Sequence, residues 1–353
     1  MKTPPGIIHK LEQREKLGLR RELQSYEDLA DFISNDYLGL SKKPWSLSQS
    51  SAHNGSRLIS GTSKLWENFE AFLATYFQFD SALFFNSGFD ANLALFSVIP
   101  QHGDLILYDE LIHASVHDGM KLSKAKHKSF KHNNLEDLKE LLYNEKGSSK
   151  SIYVAIESVY SMDGDVSPVK EIASLCEKHN AYLIVDEAHA AGYLGNDYKG
   201  LSISSSCLIK LVTFSKAYGR HGAVVLSSRA IKDYLINFAR SFIYTTALPD
   251  FIASSIWELL RDTSLLENSR KKFEANNALF HVLTGTAYTP VGIKTIHKTV
   301  EELTAIVKAA KSKGIALRAV LPPTVPRNKE RIRLTIHAHN TEKEIQTLCS
   351  ILS

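Results

Sequence analysis

The chain predicts an α/β protein: a mostly parallel sheet covered by helices, followed by a small C-terminal α+β domain. Three observations predict it. Short apolar, β-branched or aromatic runs alternate with longer helical patterns. Two of those runs end in a carboxylate and in a Ser-Lys pair, at the strand ends where sheets of this kind collect their sites. The last part of the chain then changes rhythm, to helices alternating with short strands.

In order, the strand candidates are Ala82–Phe85, Leu105–Tyr108, Ile152–Ile156, Tyr182–Asp186, Lys210–Phe214 and Ala223–Ser227. Helical patterns lie between them at Asn92–Ile99, Leu135–Tyr143 and Val169–Lys178. Ser167 is the expected N-cap of the last, with Pro168 at its first position. Further on, Thr299-Val-Glu-Glu302 is a capping box, and Leu303, Ile306, Val307 and Ala310 form one helical face. Strand-like runs Ala316–Leu321 and Arg331–His337 flank Pro322-Pro-Thr-Val-Pro326. A last helix opens at Thr341-Glu-Lys-Glu344, with Ile345, Leu348, Cys349 and Leu352 inward. The first ~30 residues suggest an amphipathic helix through Ile8, Leu11, Leu17 and Leu19. The expected division is an N-terminal segment (1–35), a large domain (36–268) and a small C-terminal domain (269–353).

With 353 residues, 44% hydrophobic and 23% charged, the composition is that of a globular protein. A formal charge of +4 suits an anionic substrate, but Lys and Arg are scattered rather than striped, which argues against nucleic acid. Cys176, Cys207 and Cys349 share no disulfide or metal spacing, which favours a reducing compartment. Without an apolar leader or an ~18-residue apolar run, no membrane segment is expected and the location is read as cytoplasmic.

The chemistry centres on Asp186, in Tyr182-Leu-Ile-Val-Asp186-Glu-Ala-His189, and Lys216, in Thr213-Phe-Ser-Lys216-Ala-Tyr-Gly219. A lysine and a carboxylate at two strand ends are how one enzyme class holds pyridoxal phosphate. The lysine binds the aldehyde, and the carboxylate keeps the ring nitrogen protonated so the ring accepts electrons. A phosphate site is read at Asn86-Ser-Gly88-Phe-Asp-Ala-Asn92, where a helix start offers backbone N–H groups; an ordinary strand-to-helix turn has the same sequence. Thr213 and Ser215 add hydroxyls. His113 is placed to stack on a flat ring, or to cap its helix, and His189 and Ser161 to bond a phenolic oxygen. Carboxylate recognition needs guanidinium. Arg331 and Arg333 share one face of a strand, and Arg20 and Arg21 end the N-terminal helical segment. Each also fits a solvated surface position.

Taken together the motifs resemble the α-oxoamine synthases, a family of fold-type I pyridoxal-phosphate enzymes, nearly end to end. They are Asn35-Asp-Tyr-Leu-Gly-Leu40, Ser87-Gly-Phe89, His113-Ala-Ser115, Ser161-Met-Asp-Gly-Asp165, Asp186-Glu-Ala-His189, Thr213-Phe-Ser-Lys216, Ile243-Tyr-Thr-Thr246 and Pro322-Pro-Thr-Val-Pro326. The resemblance implies an aminotransferase-like fold, pyridoxal 5'-phosphate as cofactor, and an acyltransferase. Its best match is to members condensing L-alanine with a pimeloyl thioester of CoA or acyl carrier protein; siblings use glycine or serine. It implies Lys216, Asp186 and His113 as catalytic residues. Gly88, Phe89, Ser161, His189, Thr213, Thr245 and Thr246 would join these three in contacting the cofactor. Arg20, Asn35, His113, Thr324 and Arg333 would meet substrate, Arg333 taking the amino-acid carboxylate. It also implies a homodimer, with Tyr244–Thr246 reaching the neighbouring subunit. The chain departs from the family in being trimmed around Ser41–Asn54 and before Val291, and in having Trp66 where a histidine is common.

Overall fold

The computed structural model describes residues 3–352 apart from 18–19, 22, 45–52, 148, 323–324 and 326–327. Leu19 and Thr324 therefore lie outside the described residues. In chain order the strands are β1 (Ala30–Asp31), β2 (Ser81–Phe85), β3 (Leu105–Asp109), β4 (Lys126–Phe130), β5 (Ile152–Glu157), β6 (Tyr182–Asp186), β7 (Ile209–Thr213), β8 (Ala223–Ser227), β9 (Ile293–His297), β10 (Ile315–Ala316), β11 (Arg318–Val320) and β12 (Arg331–Thr335). Seven form the main sheet, in the order β2-β8-β7-β6-β5-β3-β4. Within it only β8 runs against its neighbours, so the carboxyl ends of the other six point the same way.

Both faces of this sheet are covered. On β2, Leu83 and Phe85 pack with Ala91 and Leu95 of helix Gly88–Val98, while Ala82 and Phe84 pack with Trp66 and Phe69 of helix Lys64–Phe77. Burial on both sides is why these strands read as continuous apolar runs. The exception is β4, whose Lys126-His-Lys-Ser stretch is exposed. It forms the sheet's edge, where lysines discourage pairing with another chain, and its sequence carries no apolar run.

Two helix starts differ from expectation. The helix expected from Asn92 begins at Gly88, because the Ser87 hydroxyl accepts the Asp90 N–H at 3.1 Å. Ser167 does not cap helix Val169–Lys178; Pro168 holds the cap position without a side-chain bond, and the buried Ser167 hydroxyl has no partner among the described residues. The capping box of Thr299 and Glu302 forms as expected.

The small unit is the antiparallel sheet β11-β12-β9 backed by helices Val300–Ser312 and Glu342–Leu352. Its core of Leu303, Ile332, Leu334, Ile345 and Leu348 also takes in Phe32 from the N-terminal segment and Phe280. Helix Ser264–Thr284 runs through the 268/269 division: Leu266 and Phe273 pack in the large core and Phe280 in the small one. Helix Pro5–Lys16 buries none of its residues, leaving Ile7, Ile8 and Leu11 exposed. Among the described residues, no helix is long and apolar enough to cross a membrane.

One turn fixes Lys216. The Gly219 N–H donates to the Lys216 carbonyl at 2.9 Å, and Gly219 has φ 57°. A Cβ there would lie 2.3 Å from Ser41 N and 2.4 Å from Leu40 C, main-chain atoms that cannot rotate away. Gly219→Ala is expected to cost about 1–3 kcal/mol or more, read as a lower thermal midpoint; an unchanged midpoint would mean the turn relaxes.

Candidate active site

The site lies at the carboxyl ends of the parallel strands. Three residues beyond β7, Lys216 is half-covered as a residue, but its amine is enclosed. Its Nζ lies 2.7 Å from His189 Nε2, and His189 Nδ1 lies 2.6 Å from the Tyr37 hydroxyl. Burial lowers the Lys216 amine to about 8, against the opposing pull of Asp186. Burial, with Lys216 nearby, also drives His189 well below its ordinary value, so it is a neutral imidazole. A neutral ring between an amine and a phenol can relay a proton in either direction.

Asp186 ends β6. Its oxygens accept the Asn92 side-chain N–H at 2.8 Å and the Ala188 N–H at 2.9 Å. Asn92 also reaches the Ser115 hydroxyl at 3.1 Å, and that hydroxyl lies 2.7 Å from His113 Nδ1. Because His113 Nδ1 also accepts the Ser115 N–H at 3.2 Å, the ring proton belongs on Nε2. Burial and the Lys216 charge lower the imidazole against the pull of Asp186, keeping it neutral. The residue is exposed, so a ring face stays available.

Gly88 opens its helix against β7, where a Cβ would sit 3.8 Å from Thr213 Cβ. With Asp90 N–H capped by Ser87, the Gly88 and Phe89 N–H groups are those that helix geometry leaves unbonded. Thr213 and Ser215 hydroxyls are 3.0 Å apart, and the Asn86 side chain ties Thr245 Oγ1 at 3.0 Å and the Thr246 carbonyl at 3.1 Å. Arg333, on β12, donates to the Ser161 carbonyl at 2.5 Å and to Asn35 Oδ1 at 2.7 Å. It also lies beside Tyr37. Arg331, on the same face, forms an ion pair with Asp163. The strand alternation is therefore right, but one arginine is structural. Arg20 is exposed and pairs with Glu15 at 2.6 Å.

Comparison with known proteins places this arrangement. The description "Aminotransferase class I and II" matches residues 27–352. The 8-amino-7-oxononanoate synthase of Emericella nidulans is 39% identical over 97% of this chain and 93% of its own, and that of Photobacterium profundum 36% over 98% and 96%. The chain belongs to the 8-amino-7-oxononanoate synthase family. The solved Francisella tularensis member is 30% identical, with a TM-score of 0.75, covering 92% of this chain and 97% of that one. A solved serine palmitoyltransferase with pyridoxal phosphate is 25% identical, with a TM-score of 0.86, covering 99% and 96%.

Members of the 8-amino-7-oxononanoate synthase family are pyridoxal-phosphate-dependent acyltransferases, and the residues here fit that cofactor. A depressed lysine amine, a carboxylate held by two N–H donors, an open neutral imidazole and a free helix start are what a phosphorylated pyridine aldehyde requires. Trp66, where the family commonly has histidine, is buried in the core against Phe69 and Phe84, with the Arg57 guanidinium 5.2 Å from its ring.

Sequence reasoning missed Glu157. It ends β5 at the ladder position paired with Asp186, is 3% exposed, and one of its oxygens has no partner among the described residues. Burial, reinforced by Asp186, raises its carboxyl well above the usual range against Lys216 and the His113 N–H, which favours the neutral acid. The available signal was a carboxylate closing an apolar run beside another that does the same. Glu157→Gln, which copies the neutral acid, should keep turnover within a few-fold. Glu157→Ala should lose the His113 N–H bond, about 1 kcal/mol of stability, and cofactor affinity. Equal losses in both variants, by thermal midpoint and cofactor titration, would count against the neutral acid.

Proposed function

We propose that the chain condenses L-alanine with a pimeloyl thioester and releases carbon dioxide, giving 8-amino-7-oxononanoate for biotin biosynthesis. The observation that carries this reading is the enclosed Lys216 amine, lowered to about 8 and facing Asp186 and His189. Pyridoxal phosphate, when bound, supplies an electron sink for a carbanion at the amino-acid α-carbon. Lys216 would hold the cofactor and, as a free amine, would take the α-proton of the bound amino acid. His189 and Tyr37 stand behind it to share that proton. Asp186 would hold the ring nitrogen, and His113 would stack on the ring. Gly88, Phe89 and Thr213 would surround the phosphate, and Ser161 and His189 would hold the phenolic oxygen. Arg333, steadied by Asn35, takes the substrate carboxylate as a fork. A C–C bond forms at the thioester carbonyl as the thiol leaves, the carboxylate departs as carbon dioxide, and a proton returns to the α-carbon.

Arg20 and Thr324 are assigned to substrate on the family resemblance. The same reading makes the protein a homodimer, with CoA or acyl carrier protein delivering the acyl group and Tyr244–Thr246 facing the partner's phosphate. The close fold overlay with serine palmitoyltransferase makes a serine- or glycine-using sibling the second reading, since excluding or admitting one small side chain is worth only ~1–3 kcal/mol. Product analysis with alanine, glycine and serine against a panel of acyl thioesters on CoA and carrier protein tests both. Faster turnover of serine or glycine than alanine would overturn the alanine assignment.

A further inference from the structure

Four residues before Asn35, Asp31 meets His337 and His339, which follow β12. Each of the three offers a donor atom, and these lie within 4.8 Å of one another. Asp31 Oδ2 is 3.9 Å from His339 Nε2, and the two imidazoles stack with centroids 4.8 Å apart and planes at 20°.

Two observations bear on this cluster. First, both ring nitrogens of His339 are shielded from solvent yet have no hydrogen-bond partner among the described residues. Such orphaned atoms call for a ligand or a structural reason. Second, His337 is 0% exposed, with Asp31 O 3.1 Å from Nδ1, and with Ser34 O at 3.1 Å and the Ser34 hydroxyl at 3.2 Å from Nε2. A neutral imidazole has one N–H. With it on Nδ1, the ring donates to Asp31 and Nε2 accepts the Ser34 hydroxyl. With it on Nε2, the ring donates to the Ser34 carbonyl and the Nδ1 lone pair is left for a cation.

We propose that Asp31, His337 and His339 bind a divalent metal ion of the zinc type, which takes one of the orphaned His339 nitrogens as a ligand. Two imidazoles and a carboxylate form a donor set suited to borderline cations. The His337 Nε2–H bond to Ser34 is the outer bond that a ligating histidine usually makes. Metal–ligand bonds of about 2.0–2.2 Å draw the donors roughly an ångström closer than they stand. Access comes through a cavity lined by Gly39, Lys43, Asn276, His339, Asn340 and Glu342, which leaves room for water at an open coordination position. Gly39, at φ 65°, makes space for the ring: a Cβ there would lie 2.9 Å from His339 Cβ and Nδ1. The ion would pin the N-terminal segment to the small unit beside the Asn35–Arg333 contact.

The test is equilibrium dialysis of the tag-free holoenzyme against micromolar zinc chloride, with the metal measured by atomic emission. The wild type should hold about one equivalent per chain more than His339→Ala. Asp31→Asn should weaken binding roughly ten-fold or more, and His127→Ala, at an exposed histidine on β4, should change nothing. Saturating zinc should raise the wild-type unfolding midpoint by roughly 3–5 °C and leave His339→Ala unmoved. Cofactor absorbance confirms that each variant is folded. Equal zinc uptake by the wild type and His339→Ala, or no uptake by the wild type, would overturn the site.

Discussion

Lys216→Ala is expected to abolish turnover, by roughly four orders of magnitude or more, while the protein still folds. The magnitude follows from removing both the covalent anchor of the cofactor and the base for the α-proton, each a large effect on its own. The variant also carries a titration signature. The Lys216 amine sits near 8 in the folded chain against ~10.4 unfolded. Between those values the unfolded chain binds more protons, so the stability of the cofactor-free wild type should rise with pH across that window. In Lys216→Ala that part of the slope should vanish. Thermal melts from pH 7 to 10 measure it, and turnover near the wild-type rate without added amine would refute the role.

Arg333→Ala should weaken alanine binding at least ten-fold. A charged hydrogen bond contributes about 1.5–3 kcal/mol, and ~1.4 kcal/mol is a factor of ten. Because the same fork orients the α-hydrogen, its exchange with solvent should slow as well. Arg333→Lys should recover only part, since a point charge cannot grip Asn35, the Ser161 carbonyl and a carboxylate together. Cofactor binding should hardly change, as its phosphate is assigned to the Gly88 turn, whose neighbours are Leu211 and Thr213 rather than Arg333. Normal alanine affinity, followed by the cofactor's absorbance change, would move the carboxylate site elsewhere, with Arg20 next to be examined.

The parts of the fold most legible in the sequence are those whose physics is local or repetitive. The main-sheet strands buried on both faces announce themselves as apolar runs, and Thr299 with Glu302 as a capping box. β4 is silent because an edge strand can be built from lysine and histidine, and β9 because Ile293-Lys-Thr-Ile-His297 is too short and mixed to stand out. Ser167 misleads because an N-cap is a geometry, and Pro168 holds the chain outside it. At the site, Lys216 and Asp186 were visible through their strand-end positions. Tyr37, Asn92 and Glu157 were not, since each acts through a partner between 29 and 152 positions away. The sequence could pair Arg331 with Arg333 but could not tell which of them Asp163 would claim.

The bond between Asn35 and Arg333 joins residues 298 positions apart, and this has a consequence for how the protein matures. On the ribosome, the whole large sheet can emerge and pair before the strand carrying Arg333 is made. At ~5–20 residues per second, roughly 5–20 s separate synthesis of Ser227, the end of the large sheet, from that of Arg333. During that interval a chain can hold its lysine, its aspartate and its glycine turn and still have no wall on the substrate side. A nascent or prematurely terminated chain would therefore be able to capture the cofactor, with its reactive aldehyde, without being able to select an amino acid. Uptake of the yellow chromophore thus dates the closing of the large sheet, whereas a spectral response to alanine dates the completion of the polypeptide.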